Sequence, residues 1–242
     1  YWVASYLIDG LLIDTGCSHT ADELNVFLYR MNVERIVNTH FHEDHVGGNS
    51  IIGATHKASI YAHPDSIPLI RGKQKLYPYQ ELVWGYPVPS ETLPVGDVIQ
   101  TKNYEFEVIE TPGHSVGHIA LVERSQGWCF SGDIFARENL KVIRPDEDMR
   151  ETIKSMEKLI SLDAERLILF TSVGKIIEKG REALAACIRY LEDLSGKSKE
   201  FRDQGYGIDG IVKEIFGGEH KFAEMTNGQY AIENLIRSVL KI

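Results

Sequence analysis

The run Thr39-His40-Phe41-His42-Glu43-Asp44-His45 places three histidines and one aspartate within residues 40–45. On an extended segment, side chains two positions apart point the same way, so the first two imidazoles of the run can reach one metal ion. Asp44 and His45 follow where the chain turns toward a helix, and Gly47-Gly48 lets the backbone and the metal approach closely. Imidazole together with carboxylate is a suitable ligand set for zinc, and also for iron or manganese.

Two further segments each place a metal-ligand type of side chain at the carboxyl end of a predicted strand. Thr111-Pro112-Gly113-His114 ends a strand at 106–111, and its Pro-Gly turn presents the imidazole there. Ser131-Gly132-Asp133 ends a strand at 128–131. Aspartate is a poor strand former, so strand propensity does not explain its presence here. Each residue alone would be an ordinary turn or surface residue. Beside the first run, both are candidate metal ligands.

The apolar periodicity predicts strands that alternate with helices to about residue 175, followed by an all-helical tail. A hairpin turn is predicted at Asp9-Gly10, a capping box at Thr20-Ala-Asp-Glu23, and a helix between 148 and 162. Residues 68–96 contain five prolines and several aromatic residues. They are predicted to form a long loop or lid with little regular structure. Strands are predicted at 2–8, 11–13, 35–39, 58–62, 106–111, 119–122, 128–131 and 166–171.

Composition limits the compartment and the partners. The 242 residues carry a formal net charge of −9, which argues against general binding to nucleic acid or anionic membranes. No apolar run approaches the ~20 residues that span a bilayer. Cys17, Cys129 and Cys187 are scattered and form no disulfide framework. We therefore expect a cytoplasmic chain that acts on a small-molecule substrate and binds neither membrane nor nucleic acid; a homodimer stays open.

Four segments in order along the chain together resemble the metallo-β-lactamase superfamily, in its glyoxalase II-like branch. They are Leu12-Ile-Asp-Thr-Gly16, the His-x-His-x-Asp-His run from His40 to His45, Thr111-Pro-Gly-His114 and Ser131-Gly-Asp133. The resemblance implies an α+β fold, a four-layer αββα sandwich with the metals at one edge of the facing sheets. It implies a catalytic domain at 1–175 and a C-terminal helical extension at 176–242 packed on it.

The family pattern, carried over position by position, implies two neighbouring metal ions. Asp14 would lie behind the ligands and orient the site, and His118 would be structural. The implied cofactor is zinc, at one or two ions per chain, with iron or manganese as alternatives. The implied ligands are His40, His42 and His114 on the first ion, Asp44 and His45 on the second, and Asp133 bridging both.

The chain departs from the family pattern after the strand that ends near Phe170. The family usually has a Gly-His-Gly-like turn there, and its histidine completes the second metal site. Here the matching stretch is Thr171-Ser172-Val173-Gly174, and Val173 stands at the position of that histidine. A valine side chain has no donor atom. We therefore expect a second site that binds its metal more loosely.

The resemblance implies a metal-dependent hydrolase that uses activated water on an ester, thioester, lactone or related bond. Asp44 would be the catalytic residue that holds the attacking water and shuttles its proton. Two alternatives stay open. One is a mononuclear iron enzyme like the sulfur dioxygenase branch, with His40, His114 and Asp133 as a two-histidine, one-carboxylate site. The other is a degenerate metal-binding module without turnover, to which the Val173 change gives some weight.

Overall fold

The computed structural model describes residues 3–242, so the part of the first predicted strand at Trp2 lies outside the described residues. The described residues group into two compact units, and each is described by itself. The predicted division of the chain at residue 175 stays a prediction. The first unit contains the residues up to Thr111, Val116–Asp133 and Asp163–Gly180. The second unit contains Pro112–Ser115, Ile134–Leu162 and Arg181–Ile242.

Five strands of the first unit form one sheet. They are β1 (Tyr6–Ile8), β2 (Leu11–Ile13), β3 (Arg35–Val37), β4 (Ser59–Ala62) and β5 (Leu93–Pro94), in that spatial order. The first two strands pair antiparallel through the predicted hairpin, with Asp9 and Gly10 at φ 51° and 84° as a two-residue turn of this kind requires. The other neighbours pair parallel. The carboxyl ends of β2 and β3 therefore lie at the same edge.

Six strands of the first unit form a second sheet. They are β6 (Val98–Gln100), β7 (Glu105–Glu110), β8 (Ile119–Glu123), β9 (Trp128–Gly132), β10 (Ile168–Thr171) and β11 (Ile176–Ile177). The spatial order is β11-β10-β9-β8-β7-β6, and only β9 and β10 pair parallel. The four strands predicted in this region are confirmed. The two-residue strand β11 corrects the prediction that the chain is helical from residue 176, since two residues are too few to show a period.

Alternate side chains of the first sheet pack into two different apolar cores. Leu11 and Ile13 of β2 pack with Phe106 and Phe130 of the second sheet, so one core lies between the two sheets. The intervening Leu12 points the opposite way, as period two requires, and packs against apolar residues of flanking helices. The fold is thus an α+β sandwich of two facing sheets.

The first unit contains four α-helices, and two of them correct the prediction of a long loop at 68–96. The four helices are α1 (Ala21–Leu28), α2 (Asn49–His56), α3 (Ile67–Arg71) and α4 (Pro78–Trp84). The predicted loop at 68–96 therefore contains α3, α4 and β5. Its prolines mislead because Pro68 and Pro78 occupy the first turns of helices, where proline is tolerated.

The capping box predicted before α1 is absent. The Thr20 side chain caps no helical N–H, and its hydroxyl donates to the Cys17 carbonyl oxygen at 3.4 Å. Thr20 belongs to a 3-10 turn and has φ −114° and ψ 10°, which is not the extended conformation of a typical N-cap residue. Phe27 of α1 is 68% exposed.

The second unit is helical. Its helices are α5 (Met149–Ile160), α6 (Gly180–Asp203, apart from its first residue), α7 (Ile208–Phe216), α8 (Lys221–Met225) and α9 (Ile232–Val239). Asp148 caps α5, because its carboxylate accepts from the backbone N–H groups of Arg150 and Glu151. Helix α9 contacts both α5 and α7. None of the helices within residues 3–242 combines the length and the apolar character needed to cross a membrane.

Replacing Phe106 by alanine should lower the free energy of unfolding by about 3–5 kcal/mol, because a fully buried aromatic ring leaves a cavity between the sheets. Phe27→Ala is the matched control and should change this free energy by less than about 0.5 kcal/mol. Urea unfolding followed by circular dichroism measures both. Equal losses would show that the core is not where the structure places it.

Candidate metal centre

The predicted ligand run begins at the edge of the first sheet where two parallel strands end. Asp14 directly follows β2, and Thr39 and His40 follow β3 within three residues. The neighbouring edge of the second sheet is joined to this point, because the N–H of Ile119 in β8 donates to the Thr39 carbonyl oxygen at 2.8 Å. Carboxyl ends of parallel strands are a common location for binding sites.

The Asp14 carboxylate fixes the start of the run. It is 3% exposed, and its Oδ1 accepts from the backbone N–H of Thr39 at 2.8 Å. Its Oδ2 accepts from the Thr39 hydroxyl at 2.7 Å and lies 2.8 Å from Nδ1 of His45. Asp14 has φ 56°, a left-handed conformation that aspartate tolerates better than most residues. The predicted orienting position of Asp14 agrees with these contacts.

These bonds decide which nitrogen two histidines present. The Thr39 hydroxyl has one proton and gives it to Asp14, so it accepts from Nδ1–H of His40 at 3.0 Å. The Nε2 atom of His40 then carries the lone pair. His45 donates its Nδ1–H to Asp14, so its Nε2 is the nitrogen that could bind a metal after losing its proton. Such carboxylate partners behind an imidazole orient it for a metal.

The donor atoms of the run lie in pairs at the spacing of metal ligands. Nε2 of His40 is 3.0 Å from Nδ1 of His42. Nε2 of His45 is 3.4 Å from Oδ1 of Asp133. Two ligands of one tetrahedral zinc ion lie roughly 3.3 Å apart when each bond is 2.0–2.1 Å. One donor atom each from His40, His45 and Asp133 lies within 4.8 Å of the others. The donor set therefore fits a divalent metal.

The electrostatics of this cluster favour a positive charge. Burial by itself would lower the pKa of His45, but the carboxylates of Asp14 and Asp133 outweigh it and raise that pKa well above its ordinary value. The two carboxylates thus favour the protonated, positively charged form of the buried His45 imidazole. A divalent ion would meet the same field, and its binding would replace the proton on His45.

Glycines allow the backbone segments around the cluster to approach one another. A Cβ atom on Gly132 would lie 2.6 Å from Nε2 of His118 and 3.0 Å from Cβ of Thr39. A Cβ atom on Gly47 would lie 2.2 Å from the backbone nitrogen of Ser18. In the structure, Gly47 and Gly48 make room for the loop that follows β2. The expectation that this pair also lets the backbone approach the metal stays a prediction.

A buried polar network under the run was not predicted from the sequence. The side-chain amide of Asn49 donates to Oδ1 of Asn38 at 2.8 Å, and Asn38 donates back to Asn49 at 3.1 Å and to the His45 carbonyl oxygen at 3.3 Å. The Thr15 hydroxyl donates to Oδ1 of Asn49 at 2.9 Å. Because asparagine before a turn is common, nothing in the sequence marked this network.

His114 lies in the second unit and has its own carboxylate partner. It is 7% exposed, and its Nδ1 lies 2.9 Å from Oε2 of Glu147. Sequence reasoning did not identify Glu147. It sits in the acidic stretch Asp146-Glu147-Asp148 before α5, which is the usual pattern of a helix N-terminus.

The remaining predicted residues fall as follows. Asp44 is half-buried in the turn that contains His45. His118 is buried, accepts from the N–H of Asp133 at 3.1 Å through Nε2, and has Nδ1 2.8 Å from the Thr111 hydroxyl, as expected of a structural histidine. Val173 lies in the turn between β10 and β11, before Gly174 at φ 75°.

Residues 3–171 match the family model of the metallo-β-lactamase superfamily, so the chain belongs to this superfamily. It is 30% identical over 185 residues to the Beta-lactamase-like protein 2 homolog of Drosophila melanogaster (70% of this chain, 56% of that protein). It is 32% identical over 105 residues to a hydroxyacylglutathione hydrolase of Bdellovibrio bacteriovorus (43% and 36%). It is 27% identical over 209 residues to an atrochrysone carboxyl ACP thioesterase of Aspergillus fumigatus (84% and 58%).

The chain thus spans 36–58% of the length of these three relatives. Among solved structures, a beta-lactamase domain protein from Burkholderia ambifaria matches with a TM-score of 0.71 and 21% identity, covering 98% of this chain and 79% of that one. A protein solved in a di-iron-bound form matches with a TM-score of 0.59 and 26% identity (74% and 90%). The predicted family and the predicted α+β sandwich fold are confirmed.

The Asp14→Asn variant should bind zinc about 10–100-fold more weakly, because an amide cannot accept all three hydrogen bonds that orient His40 and His45. Asparagine keeps the shape and tolerates the left-handed backbone. Zinc titration against a competing chelator measures the affinity.

The matched control is Asp9→Asn, since Asp9 also has a positive φ, in the hairpin between β1 and β2. It should bind zinc as the unchanged protein does. An unaltered affinity in Asp14→Asn would mean that Asp14 does not orient the metal ligands.

Proposed function

We propose that this protein is a zinc-dependent hydrolase that cleaves a thioester, or a related ester or lactone, in a small-molecule substrate. The observation that carries the proposal is the convergence of buried imidazole and carboxylate donor atoms at metal-ligand spacing, at the edge of the facing sheets. Membership of the metallo-β-lactamase superfamily supports it. The substrate bond is suggested by the relatives whose names contain hydroxyacylglutathione hydrolase and thioesterase.

The proposed ligand set follows the family pattern. Zinc is the proposed metal, at one or two ions per chain, and iron or manganese are the alternatives for the same donors. Val173 supports a weaker second site, because its side chain offers no donor. The proposed ligands are His40, His42 and His114 for the first ion, Asp44 and His45 for the second, and Asp133 for both.

A divalent ion in this site would act as a Lewis acid and make water a usable nucleophile at neutral pH. We propose that the residues of the chain do the rest. Asp44 is half-buried beside the ligands, and its carboxylate would accept the proton of the attacking water and return it to the leaving group. The Asp14 carboxylate, held by Thr39, would keep His40 and His45 in the orientation that presents their Nε2 atoms.

We propose that the segment containing α4 forms the wall that accepts the acyl group. Two glutamine side chains attach this segment to the ligand run. Gln74 donates to the Phe41 carbonyl oxygen at 2.7 Å, and Gln80 donates to Oε1 of Glu43 at 2.7 Å. The segment also carries aromatic rings, such as the stacked pair at 77 and 79. An aromatic surface attached to the ligand run favours an apolar or aromatic acyl group.

We also propose a cytoplasmic location. The three cysteines are free and buried, and burial raises the pKa of both the Cys129 and the Cys187 thiol to about 12. Buried thiols that stay protonated are typical of structural cysteines. The net charge of −9 supports a small-molecule substrate over nucleic acid.

A second candidate function is iron-dependent oxidation of a sulfur substrate. The iron site that the resemblance implies is His40, His114 and Asp133. A related group, His40, His45 and Asp133, supports this candidate, because two imidazoles and one carboxylate are also the ligand set of non-haem iron oxygenases. Oxygen uptake with a persulfide substrate and bound iron after purification distinguishes this candidate from the hydrolase.

Elemental analysis of protein purified without chelator, together with hydrolysis of an aromatic acyl thioester, tests the proposal. The unchanged protein should contain one or two zinc ions and hydrolyse the thioester. His42→Ala and His114→Ala should each lose tight metal binding and at least about 100-fold in activity, because each removes a proposed ligand. His56→Ala, a histidine at the end of α2 outside the motif, should keep both. Full metal content in His42→Ala and His114→Ala would refute the ligand assignment.

Val173→His should raise the metal content of the protein toward two ions per chain, because it restores a donor atom where the family has its histidine. The measurement is elemental analysis after dialysis against limiting zinc, with Val173→Leu as the control of similar bulk without a donor atom. An unchanged count would show that the backbone of the turn, and not only the side chain, prevents tighter binding.

A further inference from the structure

We propose that Glu147 is a positioning residue for His114, and that the C-terminal helix α9 holds Glu147 in place through Ser238. The proposal rests on the proposed function, since it needs His114 as a metal ligand. The last helix of the chain would then contribute to metal affinity, although none of its residues is a proposed ligand.

The contact between His114 and Glu147 has the form of an oriented ligand. Oε2 of Glu147 lies 2.9 Å from Nδ1 of His114, and both side chains are more than nine-tenths buried. A carboxylate at this nitrogen keeps the proton on Nδ1 and leaves the lone pair on Nε2. It also makes the imidazole a more basic ligand.

Glu147 cannot easily turn away from His114, because its second oxygen is also bonded. Oε1 accepts from the backbone N–H of Arg144 at 2.7 Å, and the Glu147 N–H donates to the Arg144 carbonyl oxygen at 3.3 Å. The Arg144 side chain donates from Nε to the Tyr230 hydroxyl at 3.0 Å. The Glu147 carboxylate is therefore held by the hydrogen-bonded turn from Arg144 to Glu147. The Arg144 side chain is in turn held by Tyr230.

Ser238 of α9 attaches to the backbone on both sides of Asp148. Its hydroxyl donates to the Glu147 carbonyl oxygen at 3.1 Å and accepts from the Met149 N–H at 2.9 Å. The N–H of Asp148 between them donates to the Gly113 carbonyl oxygen at 2.8 Å, next to His114. Ser238 is 3% exposed, so these bonds are shielded from water.

A second attachment keeps α9 against the same segment. Ile143 and Ala231 form a pair of backbone hydrogen bonds at 3.4 Å each, and the Asn234 amide donates to the Ile143 carbonyl oxygen at 3.1 Å. These contacts lie at the start of the turn that presents Glu147. The path from α9 to His114 thus runs through consecutive residues with defined hydrogen bonds.

The decisive variants are Glu147→Gln and Ser238→Ala in the full chain, with Glu151→Gln, at a partly exposed position of α5, as the matched control. Glutamine keeps the shape of glutamate, but where its amide NH₂ faces His114, that ring must place its proton on Nε2. We expect Glu147→Gln to bind zinc about 10–100-fold more weakly and Ser238→Ala several-fold more weakly. Glu151→Gln should bind zinc as the unchanged protein does.

Zinc affinity against a chelator and the absorption spectrum of the cobalt-substituted protein are the readouts, and the melting temperature of the metal-free protein reports the fold. A changed cobalt spectrum with a melting temperature within a few degrees of the unchanged protein supports the positioning role. Unaltered zinc affinity and spectrum in a folded Glu147→Gln protein overturn it. If Glu147→Gln does not fold, Ser238→Ala decides by the same two criteria.

The unchanged protein separates this proposal from the proposed function. If it binds no metal and does not turn over, the proposed function fails and this proposal fails with it. If it binds zinc and hydrolyses the thioester while both variants match it, only the positioning role is refuted.

Discussion

The ligand run depends on the hydrogen bonds that the buried Asp14 carboxylate accepts. A desolvated carboxylate is costly unless its oxygens are hydrogen-bonded, and here the backbone and hydroxyl of Thr39 and the imidazole of His45 meet that need. The Asp14 carboxylate and its hydrogen-bond donors therefore depend on each other. The charge is stable only where these donors converge, and the donors are held where the charge is. The end of β2, the end of β3 and the turn with His45 are thereby brought to one point.

The second unit uses the same device with different residues. The Glu147 carboxylate gives one oxygen to the imidazole of His114 and the other to a backbone N–H at Arg144. In both places, a backbone bond fixes the carboxylate and the carboxylate fixes a histidine. Ligands carried on loops gain precision in this way, because a loop by itself positions a side chain less well than a helix or strand does.

The segment at 68–96 shows how local signals can mislead. Its prolines suggest irregular structure, yet Pro68 and Pro78 lie in the first turns of α3 and α4. Gln80 then has two roles. Its side-chain oxygen accepts from the N–H of Tyr77 at the start of α4, and its nitrogen donates to Glu43 in the ligand run. The Gln80 side chain thus accepts a hydrogen bond at the start of α4 and also joins this helix to the ligand run.

The sequence by itself determined the fold and predicted the metal ligands. The two-residue spacing of His40 and His42 has a geometric meaning in any extended segment, and the strands ending near His114 and Asp133 have periods that can be read locally. Only the tertiary structure decided which nitrogen each histidine presents. That choice rests on carboxylates 31 residues from His45 and 33 residues from His114 along the chain. Partners so far apart leave no periodic signal, because folding alone brings them together.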